Sequence, residues 1–413
     1  MHLGASGTIF VTMAFSDVIG QEVVKGRLRD LLQQNRLSHA LLLIGREGQG
    51  ALPLALAFAQ YVLCEKVNRR SAPAGPSLFG DEPSDVSVPL LPTDACGVCP
   101  SCQKAAQLIH PDIHYSYPTV TRKSGDKPIA TDFISEWREF IRTHSYGNLF
   151  DWIEAIKEKE NSQGKITARE CDDIIRKLSL KSFESGYKIL VLWMPEELDK
   201  EGNKLLKIIE EPPPDTLFIL VTENEEAVLP TIVSRCQLIP IPPLSTLEIC
   251  EALIRRNGTD AETARRVASV VEGNYREALQ LVQHAEEDWQ SLLREWLNAI
   301  LKTGPVAQAK WVEDISRLGR EKQKQFLRYF NHLLEQSIRL RLTGESPGAM
   351  GAERDFAERL NKIAGPEAHY AIVEELDRAS YYIERNANAK ILFHALTIKL
   401  YHIIQDKVVF LSH

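Results

Sequence analysis

Three cysteines, Cys96, Cys99 and Cys102, stand two residues apart from one another in a chain of 413 residues, with Cys64 upstream of them. Thiolates at this spacing let the backbone wrap a single ion, and Gly97 and Pro100 are turn formers that assist the reversal. Three ligands leave a tetrahedral site one short, and Cys64, at the end of the preceding helical stretch, supplies the fourth. Four thiolates suit zinc, and because no position remains for a substrate water the site is expected to be structural. Iron–sulfur or redox chemistry is the alternative, weakened by the remoteness of the fourth cysteine and the lack of any accompanying redox motif. Cys171, Cys236 and Cys250 read as small buried apolar residues. Seven cysteines distributed in this way point to a reducing compartment, the cytoplasm, rather than to a disulfide scaffold.

A second constellation has the outline of a phosphate-binding loop. The run Gly45-Arg46-Glu47-Gly48-Gln49-Gly50-Ala51-Leu52 follows a short apolar stretch and precedes a helical one that opens with Pro53. A working loop of this kind uses backbone N–H groups to cradle phosphates, a lysine to reach the outer ones and a hydroxyl to bind magnesium. Gly45, Gly48 and Gly50 keep the glycine pattern, but Ala51 and Leu52 stand where the lysine and the hydroxyl belong. Such a site also needs carboxylates at the end of a later strand, and there the chain carries Trp193 and Met194. Glu196 and Glu197 read as an acidic cluster at a helix start, favoured by the helix dipole. His39 and His110 draw no catalytic assignment, since no supporting nucleophile pattern accompanies them.

The elements that must hold these residues are legible as short apolar runs, Leu41 to Ile44, Lys188 to Trp193, Thr216 to Thr222 and Gln237 to Ile241, each too short for a helix. Helical period separates them over Leu54 to Leu63 and over Asn203 to Glu211, the latter with Leu205, Leu206, Ile208 and Ile209 on one side and stopped by Pro212, Pro213 and Pro214. Strands alternating with helices predict an α/β fold built on a parallel sheet covered on both faces. The stretch from Glu65 to Pro92 is rich in Pro, Ser and Gly and reads as a surface loop, whereas 123–180, with Trp137, Phe140 and Trp152, reads as a mostly helical insertion. Beyond Pro243 the pattern is helical throughout. The predicted domains are 13–242, containing the sheet and the cysteine module (64–102), a small helical unit at 243–284, and an all-helical unit at 285–413. Met1 to Thr12 reads as a short extension, with Met13 as an alternative start.

Composition bounds the function. Apolar residues at 44% and charged residues at 25% are those of an ordinary globular protein, and the apolar runs are far shorter than the roughly 20 residues of a membrane span. A net charge of -7 argues against coating DNA by electrostatics alone, so any contact with DNA belongs to an assembly.

Several motifs together resemble the clamp-loader branch of the AAA+ family. Phe15-Ser16-Asp17-Val18-Ile19-Gly20-Gln21-Glu22 resembles its opening box, and Arg36-Leu37-Ser38-His39-Ala40 the lead-in to the phosphate loop. Asn203 through Pro213 is similar to the helix ending in Glu-Glu-Pro-Pro, Thr231-Ile232-Val233-Ser234-Arg235-Cys236 carries Ser-Arg-Cys, and Gly273 through Leu279 resembles the second sensor. The first sensor position falls at Thr222. The likeness covers residues 14 to 284. It implies an AAA+ parallel-sheet domain with a zinc module held by Cys64, Cys96, Cys99 and Cys102, a small helical lid and an all-helical C-terminal collar.

The missing lysine and hydroxyl select a non-hydrolysing subunit of the DNA polymerase III clamp loader, with gamma/tau and delta subunits as partners in a hetero-oligomer. Sliding clamp and primed DNA would be met through the complex. No intrinsic ATP hydrolysis is expected. Gly45, Gly48, Gly50, Thr222 and Arg276 would be the remnants of a nucleotide site, Arg276 now in an intramolecular structural role. Arg235 would act in trans as an arginine finger on a neighbour's ATP, an internal ion pair being the alternative. Two other readings are an active DNA-dependent ATPase motor of the gamma/tau kind, opposed by Ala51, Leu52, Trp193 and Met194, and a zinc-dependent DNA-binding module of repair or recombination, opposed by the acidic balance.

Overall fold

The computed structural model describes residues 13–68, 92–122, 125–157, 163–184, 186–283, 289–344, 352–385 and 387–406. The readings of Met1 to Thr12 and of most of the loop from Glu65 to Pro92 therefore fall outside the described residues. The chain divides into two compact units, one running up to Gly258 together with Val271–Ala278, the other comprising Thr259–Val270 and the chain from Leu279 onward. The helix Thr246–Asn257 thus belongs with the first unit and the helix Ala261–Val270 with the second.

The first unit is built on a five-stranded sheet, β1 (Ala40–Ile44), β2 (Ile113–Ser116), β3 (Lys188–Trp193), β4 (Thr216–Thr222) and β5 (Gln237–Pro240), in the order β2-β3-β4-β1-β5. All four pairings are parallel, with Leu42 opposite Leu220 on one side and Leu238 on the other. Every residue of β3 and β4 is buried, as parallel strands covered on both faces require. Their side chains alternate between two cores. Leu41, Leu43, Val191, Trp193, Ile219 and Val221 face one core, shared with the helix Ala51–Leu63. Leu42, Leu190, Leu192, Phe218 and Leu220 face the other, shared with Ile174 and Leu178. The helix Ala51–Leu63 buries every residue except Pro53, the condition for a helix apolar all round.

Two sequence expectations are revised. β2 was not expected: only four residues long, with His114 and Ser116 among them, it lacks an apolar run and occurs as an edge strand paired to β3 alone. The segment expected as one helix from Asn203 to Glu211 is the end of a 3₁₀ helix, Pro195–Leu205, followed by a short α-helix, Leu206–Glu210. Leu205, Ile208 and Ile209 are still buried together. The 123–180 stretch is helical over Ile134–Thr143, Leu149–Ile156 and Ala168–Ser179, and these helices belong to the two cores. Trp137, Phe140 and Trp152 sit in the core beneath Trp193, and Ala168–Ser179 covers the opposite face.

The second unit contains only helices among its described residues. Its core centres on Trp296 stacked on Trp311, centroids 4.5 Å apart, with Phe326, Phe330 and Phe393 around them. The Trp296 indole N–H is satisfied by Thr397 Oγ1 at 3.0 Å, as a buried indole demands. No helix among the described residues is long and apolar enough to cross a membrane.

Candidate functional site

The loop Gly45–Gly50 leaves β1 and enters the helix Ala51–Leu63 at the carboxyl end of the sheet, where parallel α/β folds place their ligands. Gly48 and Gly50 take left-handed φ values of +72° and +91°, which side chains rarely adopt. A Cβ on Gly48 would fall 1.9 Å from Asn274 Oδ1 and 3.0 Å from the Arg276 N, so Asn274 and Arg276 pack directly against this glycine. Ala51 and Leu52 are buried and contribute neither charge nor hydroxyl.

The anion held at this loop is the protein's own. Glu47 accepts hydrogen bonds from Arg276 Nη1 (2.8 Å), Asn148 Nδ2 (2.9 Å) and Asn274 Nδ2 (3.3 Å). The same guanidinium forks onto Asp151, Nη2 to Oδ1 at 2.6 Å and Nε to Oδ2. Its side chain is 5% exposed, so this is a desolvated, bidentate pair of the strong kind. Local sequence explains part of the geometry. Asn148 and Asp151 form a reciprocal capping box at the start of Leu149–Ile156, and the Tyr275 N–H donates to Gly48 O at 3.2 Å, which brings Arg276 over the loop.

More acidic side chains lie alongside. Glu223 is pushed up to about 8, first by burial and then by the charges of Glu47 and Glu196, Arg276 opposing. Burial also raises Glu196, whose carboxylate accepts the Glu223 N–H at 3.3 Å. Thr222, fully buried at the tip of β4, accepts the Gly45 N–H on its carbonyl (3.1 Å) and the Asn224 N–H on its hydroxyl (3.1 Å). Gly45, Gly48, Gly50, Thr222 and Arg276 are therefore gathered around one loop. At the end of β3, Trp193 packs 5.4 Å from Trp137 and 5.8 Å from Phe140, centroid to centroid, and Met194 is buried with φ +58°. Aromatic core thus stands at the end of β3.

The four cysteines Cys64, Cys96, Cys99 and Cys102 converge, their sulfurs all within 4.8 Å of one another, and Cys96 Sγ lies 3.9 Å from Cys102 Sγ. Ligands on a tetrahedron with Zn–S of about 2.3 Å are about 3.8 Å apart, so the donor set fits that metal. Backbone N–H groups already point at sulfur, Cys96 to Cys64 (3.3 Å), Cys99 to Cys96 (3.4 Å) and Cys102 to Cys99 (3.4 Å). The Cys64 thiol is lowered to about 4, chiefly by the Cys102 thiol and with help from the Cys96 N–H, against burial. The module is tied to its surroundings by Asp94, which accepts the N–H groups of Phe15 and Ser16, both at 2.9 Å, and by Tyr61, whose hydroxyl donates to Pro92 O at 2.7 Å.

Arg235 lies apart from the loop cluster, just beyond the short helix Pro230–Val233. Its Nε donates to Glu210 Oε1 at 2.7 Å, with Nη2 on the same oxygen, while Nη1 reaches Thr231 O at 2.7 Å and Ser234 Oγ at 3.3 Å. Both partners of this ion pair are partly exposed, 31% for Arg235 and 47% for Glu210. His110 is buried, accepts the Asp112 N–H on Nδ1 at 3.1 Å and is lowered by burial, so it is a neutral packing residue. Sequence reading missed Glu47, Asn148, Asp151, Glu223 and Glu210. Of these, two carried a signal: Glu47, an acid inside a loop whose ligand is an anion, and Glu210, the first acid of the Glu-Glu-Pro-Pro run.

The family model described as "DNA polymerase III, delta subunit" matches residues 20–78 and 86–245, more than half of the chain. DNA polymerase III subunit delta' of Bacillus subtilis is 26% identical over 63% of this chain and 58% of its own length. DNA polymerase III subunit tau of the same organism is 24% identical over 95% of this chain and 62% of its own. The match therefore spans about three fifths of either relative. The Escherichia coli subunit delta' is 24% identical over 91% of this chain and 93% of its own. Among solved structures, a gamma subunit-related protein of Thermotoga maritima covers 91% of this chain at 13% identity with a TM-score of 0.36, 98% of that structure being covered in turn.

Proposed function

The chain belongs to the DNA polymerase III delta subunit family, in the delta-prime branch to which its relatives point, and from that premise we propose that it is a non-hydrolysing subunit of the clamp loader. In this reading it is an AAA+ protein with domains at 13–242, 243–284 (lid) and 285–413 (collar). It works in the cytoplasm as one member of a hetero-oligomer with gamma/tau and delta subunits, helps to place the sliding clamp on primed DNA, and lends Arg235 to a neighbour's ATP site. Zinc on Cys64, Cys96, Cys99 and Cys102 is structural, and stabilises a segment with little apolar core of its own.

The observation that carries the non-hydrolysing assignment is the cluster of Glu47 and Asp151 around Arg276. A triphosphate entering the loop would need cationic groups, and the buried Arg276 guanidinium there is already neutralised by two carboxylates. The absence of a lysine at Ala51 and of a hydroxyl at Leu52 removes the contact to the outer phosphates and the magnesium ligand. The finger role of Arg235 is supported by its exposure. A partly exposed pair such as Arg235–Glu210 is worth only about 0–1 kcal/mol, so an interface phosphate can draw the guanidinium away.

The similarity to tau over 95% of this chain favours a second reading, an active motor, and one assay separates the two. The purified chain, with and without clamp and primed DNA, is expected to hydrolyse no ATP and to retain no labelled nucleotide on gel filtration. Turnover that survives purification and disappears when Gly50, held at φ +91°, is substituted would establish the motor reading instead.

A further inference from the structure

Arginine has five N–H donors in a planar fork, and at Arg235 four of them are engaged within the chain. Nε and one Nη2 hydrogen bind Glu210 Oε1, and the two Nη1 hydrogens bind Thr231 O and Ser234 Oγ. Phosphoryl oxygens engage a guanidinium through paired N–H groups on one edge. The Nε/Nη2 edge is the one that the Glu210 carboxylate fills. The other edge has its Nη1 side anchored to the turn that carries Arg235 itself. Glu210 closes the short helix Leu206–Glu210, 25 residues away in sequence, and its backbone is fixed by Ile208 and Ile209, buried in the sheet core.

We propose that Glu210 is a positioning residue for Arg235, a resident carboxylate that occupies the guanidinium's Nε/Nη2 edge and is displaced by a phosphoryl group of the nucleoside triphosphate on the neighbouring subunit. The inference rests on the finger reading of Arg235 given above. It deepens that reading by assigning the competitor of the phosphate. Thr231 and Ser234 keep the side chain aimed while Glu210 leaves, so the exchange swaps one anion for another at a single edge. Glu210 therefore sets how readily the triphosphate is taken up at this interface and leaves the rate of the chemical step to Arg235.

The test is steady-state ATPase of the reconstituted loader with clamp and primed DNA, after gel filtration has confirmed assembly. Glu210→Gln keeps the shape and removes the charge that competes with phosphate. The ATP concentration giving half-maximal rate is expected to fall about two- to fivefold, the range to which a partly exposed pair converts, with kcat unchanged. Because the competition is electrostatic, the gap between Glu210→Gln and the unaltered protein should narrow as ionic strength rises and the Debye length shortens. Glu210→Asp, which retains the charge, should stay closer to the unaltered protein. Should Glu210→Gln fail to assemble, Glu210→Ala serves the same comparison, Glu210 being half-exposed.

Unchanged KM and salt dependence, alongside a reduced kcat in Arg235→Ala, would overturn the role of Glu210 and leave the finger standing. A kcat in Glu210→Gln as low as in Arg235→Ala would also overturn it, since Glu210 would then be needed in the transition state. An undiminished rate in Arg235→Ala would remove the finger reading and this inference with it.

Discussion

At Glu223 one carboxylate reports on the whole loop cluster. Its neighbours are mostly acids, Glu47, Glu196 and Asp151, with Arg276 as the opposing charge, and burial and repulsion together hold its pKa at about 8 against an ordinary 4.5. A carboxylate that binds its proton more tightly folded than unfolded contributes stability at low pH. That contribution is lost as the pH rises from about 4.5 through 8; Glu196, raised in the same direction, adds to the trend. Glu223→Gln removes the cost of ionising there. Its thermal midpoint is expected to exceed that of the unaltered protein at about pH 8, by the equivalent of on the order of 2 kcal/mol, and to converge with it near pH 4.5. Parallel melting curves across that range would show that Glu223 is no less solvated folded than unfolded. At the same scale, Gly48 makes room for a side chain, since a Cβ there would fall 1.9 Å from Asn274 Oδ1.

Among the elements, the cysteine module is expected to depend for its folding on something other than apolar burial. Cys96 and Cys99 are only partly buried, and Gly97, at φ +68°, has nothing within 4 Å of where its Cβ would be. What the module holds is the N-terminal turn Phe15–Asp17, through the carboxylate of Asp94 on the N–H groups of Phe15 and Ser16. Elemental analysis is expected to find one zinc per chain, and Cys99→Ser to lose it. Chelation should speed hydrogen exchange at the Phe15 and Ser16 amides and proteolysis near residues 92–106, while the sheet amides, buried on both faces, stay protected. Unaltered metal content in Cys99→Ser, or exchange at Phe15 and Ser16 indifferent to chelator, would refute the four-thiolate assignment.

On the scale of the whole molecule, an acidic chain of net charge -7 is expected to act through partners, and the finger reading of Arg235 can be tested only in their company. Arg235→Ala should leave the isolated chain folded, since the pair it loses is partly exposed. In the assembled loader with clamp and primed DNA it should lower the ATPase rate. Guanidinium removal costs about 10³-fold or more at a single phosphoryl-transfer site, diluted here by other sites in the ring. Arg235→Lys should rescue poorly, because a compact ammonium keeps the charge without the planar fork. An undiminished rate after confirmed assembly would make Arg235 an internal ion-pair residue. The two units add a further contrast between what is local and what is not. Cys64, Cys96, Cys99 and Cys102, the loop Gly45–Gly50 and four of the five strands were legible in the sequence, because spacing, glycine pattern and apolar runs are local properties that backbone geometry acts on directly. β2 was not, because four residues with two polar ones carry no run, and pairing to β3 decides them. Nor was the occupant of the loop. Glu47 meets Asn148 and Arg276 at separations of 101 and 229 residues, and Arg276 meets Asp151 at 125. Any of the chain's many acids could pair with that arginine by charge alone, and only the packing of the helix Leu149–Ile156 and the turn before Tyr275 against the sheet selects these two, since a desolvated guanidinium is stable only where folding has already placed carboxylates on its edges.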